Sequence, residues 1–200
     1  MFETVRRYRL PLLLLAAALV AAAVSLPLWG MTLVSTQYPE GLRMIVYPSR
    51  IVGDIAELNA LNRYVGMMPI SDDFFAELRV LPTAFYLIAA AAVGAALIRR
   101  RWSAAVPLAM MAALAVYGFR AMQSRLWQFG HNLDPKAPMD IPPFTPPMLG
   151  TNQIAQFASY TYFTWGTFLP LVAGALIVLV LAADISAERQ PVRAARTVHA

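Results

Sequence analysis

His131, Met67 and Met68 are the side chains of this sequence best suited to specific chemistry. An imidazole and two thioethers make a soft donor set. Such a set suits copper, Cu(I) above all, better than Mg2+ or Ca2+. Asp134, three residues past the histidine, adds a carboxylate. The only other histidine, His199, lies far from these residues in the chain. Two plainer roles compete: a loop histidine commonly serves as a hydrogen-bonding group, and methionines fill gaps in cores. Met67, Met68, His131 and Asp134 are the candidate ligands, and copper is the expected ion.

Other chemistries find little support. With no cysteine there is no thiolate site, iron–sulfur cluster, disulfide or thiol nucleophile. No Gly-Xaa-Ser-Xaa-Gly, His-Glu-Xaa-Xaa-His, phosphate loop or dinucleotide fingerprint occurs. Asp72-Asp73 is a carboxylate pair whose simpler role is to start a helix. An enzyme is not expected.

The elements that must position these residues are mostly apolar. Hydrophobic residues make up 59% of the chain and charged ones 14%, about half the share usual in soluble chains. The apolar residues fall into four runs, at 10–29, 81–98, 103–119 and 165–183. Each is close to the roughly 20 residues that cross a 30 Å hydrocarbon core as a helix. The expected fold class is an all-α integral membrane protein: four transmembrane helices with a small mixed extracytoplasmic cap, built from 31–80 and 120–163. The first run has the basic start of a signal peptide, but it is longer than a signal core and is expected to remain as a helix. Trp29, Trp102, Trp127 and Trp165 are expected at the membrane–water boundary.

The charges suggest an orientation. Nine arginines (6, 7, 9, 99, 100, 101, 189, 193 and 196) flank the runs on one side, against Glu3, Asp184 and Glu188. The net charge of +5 is thus a topological signal rather than a nucleic-acid footprint. The arginine side is expected to be cytoplasmic, placing both termini inside a bacterial inner membrane and both long segments outside. No run carries a charge well inside it, and Arg120 and Asp184 are expected at helix ends facing water.

In the first outer segment, "QYPEGL" (37–42) reads as a turn, with Pro39 second and Gly41 fourth. Leu42, Met44 and Val46 alternate as one face of a strand, and Ile51-Val52 is expected to pair back. Asp54 and Glu57 resemble a capping box. Ile55, Leu58, Leu61 and Val65 would share an apolar helical face that ends at Gly66. Pro82 is a candidate kink. The second outer segment continues the third run to Gln128, then holds six of the fifteen prolines between 135 and 147, together with Lys136, the one lysine. It is expected to be extended and to dock on the first outer segment.

Four motifs in these segments, "QYPEGL", "LNALNRYVGMMPI" (58–70), "GHNLDP" (130–135) and "PPMLG" (146–150), carry a resemblance. In order and spacing they resemble those of a group of small multi-span bacterial membrane proteins associated with nitrous-oxide-reductase maturation and periplasmic copper handling. The resemblance implies an accessory protein that handles copper or delivers it to a periplasmic or membrane cuproprotein, with a protein partner and the lipid bilayer around it. The group's pattern has a histidine where this chain has Arg63, which cannot ligate copper. The alternative is a scaffolding subunit of a larger membrane complex with no metal of its own, in which Asn62, Tyr64 and Asn132 tie the two loops together.

Overall fold

The computed structural model describes residues 2–71, 75–98, 100, 102–139, 141–154 and 157–197. The helix start expected at Asp72-Asp73 lies outside them, as do Arg99 and Arg101. The chain divides into two compact units. One comprises Met1–Ala23, Thr83–Leu114 and Phe168–Ala200; the other comprises Val24–Pro82 and Ala115–Thr167.

The first unit is helical. It contains α1 (Phe2–Arg7), α2 (Arg9–Ala23), all but the first turn of α4 (Leu81–Leu97), the start of α5 (Ala105–His131) and most of α6 (Trp165–Thr197). Its buried stripes alternate small and branched residues: Leu13, Ala16 and Val20 on α2, Ile88 and Ala92 on α4, Ala173 and Ile177 on α6. Alanine in these stripes lets helix backbones approach closely. The opposite faces stay apolar and exposed, as at Leu15, Leu87, Leu97 and Leu171.

Pro82 occupies the second position of α4, where its missing N–H would have had no helical partner, so it opens the helix rather than kinking it. Asp184, expected to face water, is buried and paired with Arg9 at 3.1 Å, the two side chains being 9% and 12% exposed. The same guanidinium donates to the Ser103 hydroxyl at 2.7 Å and to the carbonyls of Ala96 and Arg100 at 3.4 Å. One side chain thus ties the start of α2, the end of α4, the α4–α5 turn and α6 together.

The second unit overturns the all-α, four-span expectation. It is built on a five-stranded antiparallel sheet in the order β3-β2-β1-β5-β4. Its strands are β1 (Trp29–Val34), β2 (Leu42–Val46), β3 (Ile51–Gly53), β4 (Gly150–Ile154) and β5 (Phe157–Phe163). The first apolar run is therefore not one element. Its helix stops at Ala23, and Pro27 and Leu28 lead into β1. Trp29 does not reach a boundary: it is 4% exposed in the sheet's core face and donates its indole N–H to the Met148 carbonyl at 2.7 Å. At about 1.5 Å per residue, the 15 residues of α2 reach only about 22 Å.

Among the described residues two helices are long and apolar enough to cross a membrane, α5 and the Trp165–Ser186 part of α6. Core helices of soluble proteins share that composition. Here, however, only 6% of the apolar window of α5 and 28% of that of α6 is buried. Apolar helices this exposed fit membrane association.

The strand alternation puts Trp29, Met31, Leu33, Leu42, Met44 and Phe163 on one face, since each pairs with another of the set or lies two residues along. Onto this face pack α3 (Ile55–Tyr64) and the end of α5, closing a core of Trp29, Leu42, Met44, Leu58, Ile70 and Phe129. Fully burying a side chain such as Leu58 contributes about 2 kcal/mol. On the other face the Tyr162 ring covers Gly30, its cross-strand partner, where a Cβ would stand 2.7 Å from the ring. The turn at Tyr38–Gly41 is closed by the Gly41 N–H on the Tyr38 carbonyl at 3.1 Å. Asp54 does not cap α3 with its side chain; its carboxylate accepts the Arg43 N–H at 2.8 Å, finishing the β2–β3 ladder.

Candidate functional site

The candidate ligands lie in the second unit, where the end of α3 meets the end of α5 and the proline-rich segment after it. Helix α3 ends in a Schellman motif. Gly66, with φ +79°, donates to the Arg63 carbonyl at 3.4 Å, and Met67 donates to the Asn62 carbonyl at 2.7 Å. The left-handed glycine frees its own carbonyl, which accepts the Asp134 N–H at 2.8 Å. A second backbone bond, Met139 N–H to the Tyr64 carbonyl at 3.1 Å, keeps the strap in place. A Cβ at residue 66 would stand 2.9 Å from the Asp134 oxygen, so the same glycine permits both the turn and the close approach.

The far side of the turn is held by Asn59. Its amide donates to the Ile70 carbonyl at 2.9 Å and accepts the Ile70 N–H at 2.6 Å, imitating a strand partner. This residue carried no signal at the sequence level beyond its place in the 58–70 motif. Asn59→Ala is expected to destabilise the fold by about 1–3 kcal/mol, because it leaves both Ile70 groups unpaired. Chemical denaturation should show it, and a loss under 0.5 kcal/mol would mean that solvent replaces the amide.

The strap crosses α5 at Gly130, whose carbonyl accepts the Phe144 N–H at 3.1 Å. Farther on, Thr161 donates to the Pro147 carbonyl at 3.2 Å. Prolines suit such a strap: it is held at its few remaining amides and through its carbonyls, and the rings restrict everything between.

Against this frame the four candidate ligands fall in different places. His131 ends α5, half-buried, and its ring stacks on Trp127 one turn earlier at 4.4 Å between centroids. Nδ1 lies 3.0 Å from the Trp127 carbonyl. A carbonyl only accepts, so Nδ1 is the nitrogen that donates to it, and in the neutral tautomer this selects, Nε2 is the nitrogen with the free lone pair. The Met68 sulfur is 4.0 Å from the side-chain amide nitrogen of Asn132, the residue after His131. Both Met67 and Met68 also pack against the core. Asp134 is exposed, and its carboxylate accepts the Lys136 N–H at 2.9 Å, forming an Asx turn.

The structure thus brings Met68 to Asn132 and gives Asp134 a turn-forming role. Trp127, expected at a membrane boundary, is half exposed and orients the histidine; its spacing of four on one helix was the available signal. Arg63 is exposed and donates to the Asn59 carbonyl of its own helix at 3.4 Å. Asn62 donates to the Met68 carbonyl at 3.3 Å and so stabilises its own turn rather than tying the loops together.

Among the described residues no group of three or more His, Asp or Glu is arranged to hold a metal ion. A carboxylate-rich site for a hard cation is therefore not the arrangement seen here. No protein-family model matches the chain, and no curated protein matches it.

Proposed function

We propose that this chain is a membrane-associated accessory protein that holds copper(I) on its sheet-bearing unit and passes it to a periplasmic or membrane partner protein. The observation that carries the reading is the orientation of His131: Nδ1–H is turned to the Trp127 carbonyl and Nε2 is left to act as a donor. Met68, beside Asn132, supplies a thioether. Met67 and Asp134 are the remaining candidates for the set. The copper association of proteins with similar outer motifs points the same way. The chain resides in a bacterial inner membrane, held there by α5 and the apolar part of α6. When bound, copper would be the cargo, and the protein's part is to orient the imidazole and keep the thioether in reach.

The test is Cu(I) titration of the detergent-purified chain, under reducing conditions, against a chromophoric chelator. The expected result is one Cu(I) per chain, with His131→Ala and Met68→Leu each weakening binding at least tenfold, about 1.4 kcal/mol. Met67→Leu and Asp134→Asn report whether those side chains join the set. A parent protein that retains no copper would sink the reading.

One observation favours a scaffolding role instead. The outer sheet face exposes Tyr160, Tyr162 and Val52, a surface suited to a protein neighbour. That role predicts co-purification of a stable complex unaffected by His131→Ala.

A further inference from the structure

The arginines of the helical unit are not equivalent. Arg9 is consumed internally by Asp184, Ser103 and two carbonyls. Arg6, Arg7 and Arg100 are exposed. The bonds made by Arg9 bring these three to one end of the unit: Arg6 and Arg7 sit three and two residues before it, and it bonds the carbonyl of Arg100 itself. Ser103 adds to the joint, its hydroxyl lying 2.8 Å from the same Arg100 carbonyl. Two amphipathic aromatics share this end, Tyr8 and Trp102, the latter 61% exposed. Next to them lie exposed, purely apolar side chains: Leu10 on α2, Leu97 at the end of α4 and Ile98 just after it.

The order from arginine to aromatic to aliphatic matches the polarity gradient of a lipid leaflet, from headgroup through interface to acyl chain. Asp184 would ordinarily offset the positive charge at this end, but Arg9 neutralises it. Of the described acids near this end, Glu3 on α1 is exposed. Guanidinium groups bind phosphate oxygens in forked pairs of hydrogen bonds, whereas a zwitterionic headgroup supplies its own cation to compete.

We propose that this end of the helical unit, formed by Arg6, Arg7 and Arg100 with Tyr8 and Trp102, is a binding surface for anionic phospholipid headgroups. The shared ligand chemistry is a phosphodiester. The adjoining Leu97 and Ile98 favour a lipid over free phosphate, because a lipid brings acyl chains to cover these exposed side chains and a free anion brings none. The inference rests on the membrane reading above and is independent of copper.

The test uses the full chain in neutral detergent and follows thermal unfolding as lipid is added. Phosphatidylglycerol is expected to raise Tm by several degrees, and phosphatidylcholine and inorganic phosphate at equal concentration are not. Each arginine replaced, as Arg6→Gln, Arg7→Gln or Arg100→Gln, is expected to weaken phosphatidylglycerol binding about fivefold. Should the triple variant not fold, the parent protein still decides: 0.5 M NaCl must remove most of the phosphatidylglycerol shift. Equal shifts from phosphatidylcholine, or a salt-insensitive shift, overturn the proposal; an equal shift from phosphate assigns the surface to a free anion and overturns it too. Reconstitution into pure phosphatidylcholine vesicles tests the underlying reading separately. Protein that resists alkaline carbonate extraction is membrane-embedded whatever its lipid preference, whereas extracted protein removes both readings.

Discussion

Gly130→Ala is expected to strip the proline-rich strap from α5, while the same substitution at Gly118, three turns earlier on that helix, is expected to stabilise the protein. In an exposed helix interior alanine is favoured over glycine by about 1 kcal/mol, because it loses less backbone entropy on folding. At Gly118 nothing lies within 4 Å of the new methyl group, so that gain should appear in full. At Gly130 the methyl would overlap the Phe144 carbonyl oxygen and stand 2.8 Å from its carbon. That neighbour is backbone and cannot turn aside as a side chain could. Relief requires the strap to lift, which breaks the Phe144–Gly130 bond. A loss of about 3 kcal/mol or more is expected, with the sign reversed relative to Gly118. Endoproteinase Lys-C gives a sharp readout, since Lys136 is the one lysine and lies on the strap. Cleavage should accelerate in Gly130→Ala and stay at the parental rate in Gly118→Ala. Equal rates in all three proteins would show that the strap is not held at this crossing.

The second large effect belongs to the Arg9–Asp184 pair. Removing one member of a buried pair leaves an uncompensated charge, at a cost of about 3–5 kcal/mol. Arg9→Leu should therefore lower Tm by on the order of 10 °C in a chain of this size. It also removes the donor shared by Ala96, Arg100 and Ser103, so helix ends as well as a charge lose their partner. Asp184→Leu in the same background should recover much of the loss, because two apolar side chains of similar volume satisfy a buried site about as well as an ion pair. Thermal unfolding of the two single variants and the double variant completes the cycle. Independent, additive losses would mean that the two groups do not interact.

Where residue types and local periodicity dictate structure, the sequence was a good guide. Leu42, Met44 and Val46 alternate because β2 buries one face, and Gly66 ends α3 because the turn needs a positive φ. The failures share a cause. β1 begins inside an uninterrupted apolar run, and a buried strand of this composition is indistinguishable by hydropathy from the last turns of a membrane helix. Pro27 was the break, and the aromatic alternation of "FASYTYF" in β5 was the missing partner's mark. Asp54 had the sequence of a helix cap, but an amide from β2 competes for its carboxylate, and nothing local to residue 54 reveals that. In the candidate site, His131 and the methionines stand out by type alone. The imidazole is oriented by Trp127 one turn away, but the approach of Met68 to Asn132 is a contact spanning 64 positions, which residue types do not encode.

The strand order has a consequence for biogenesis. β1 lies at the centre of the sheet, yet one of its two neighbours, β5, is made only after α3, α4 and α5 have been synthesised. At about 5–20 residues per second, more than a hundred intervening residues leave that ladder of amides and carbonyls open for on the order of ten seconds. During that interval the nascent β1–β2–β3 meander is a template for any extended chain nearby. Completion of the sheet therefore waits on delivery of the β4–β5 hairpin to the same compartment.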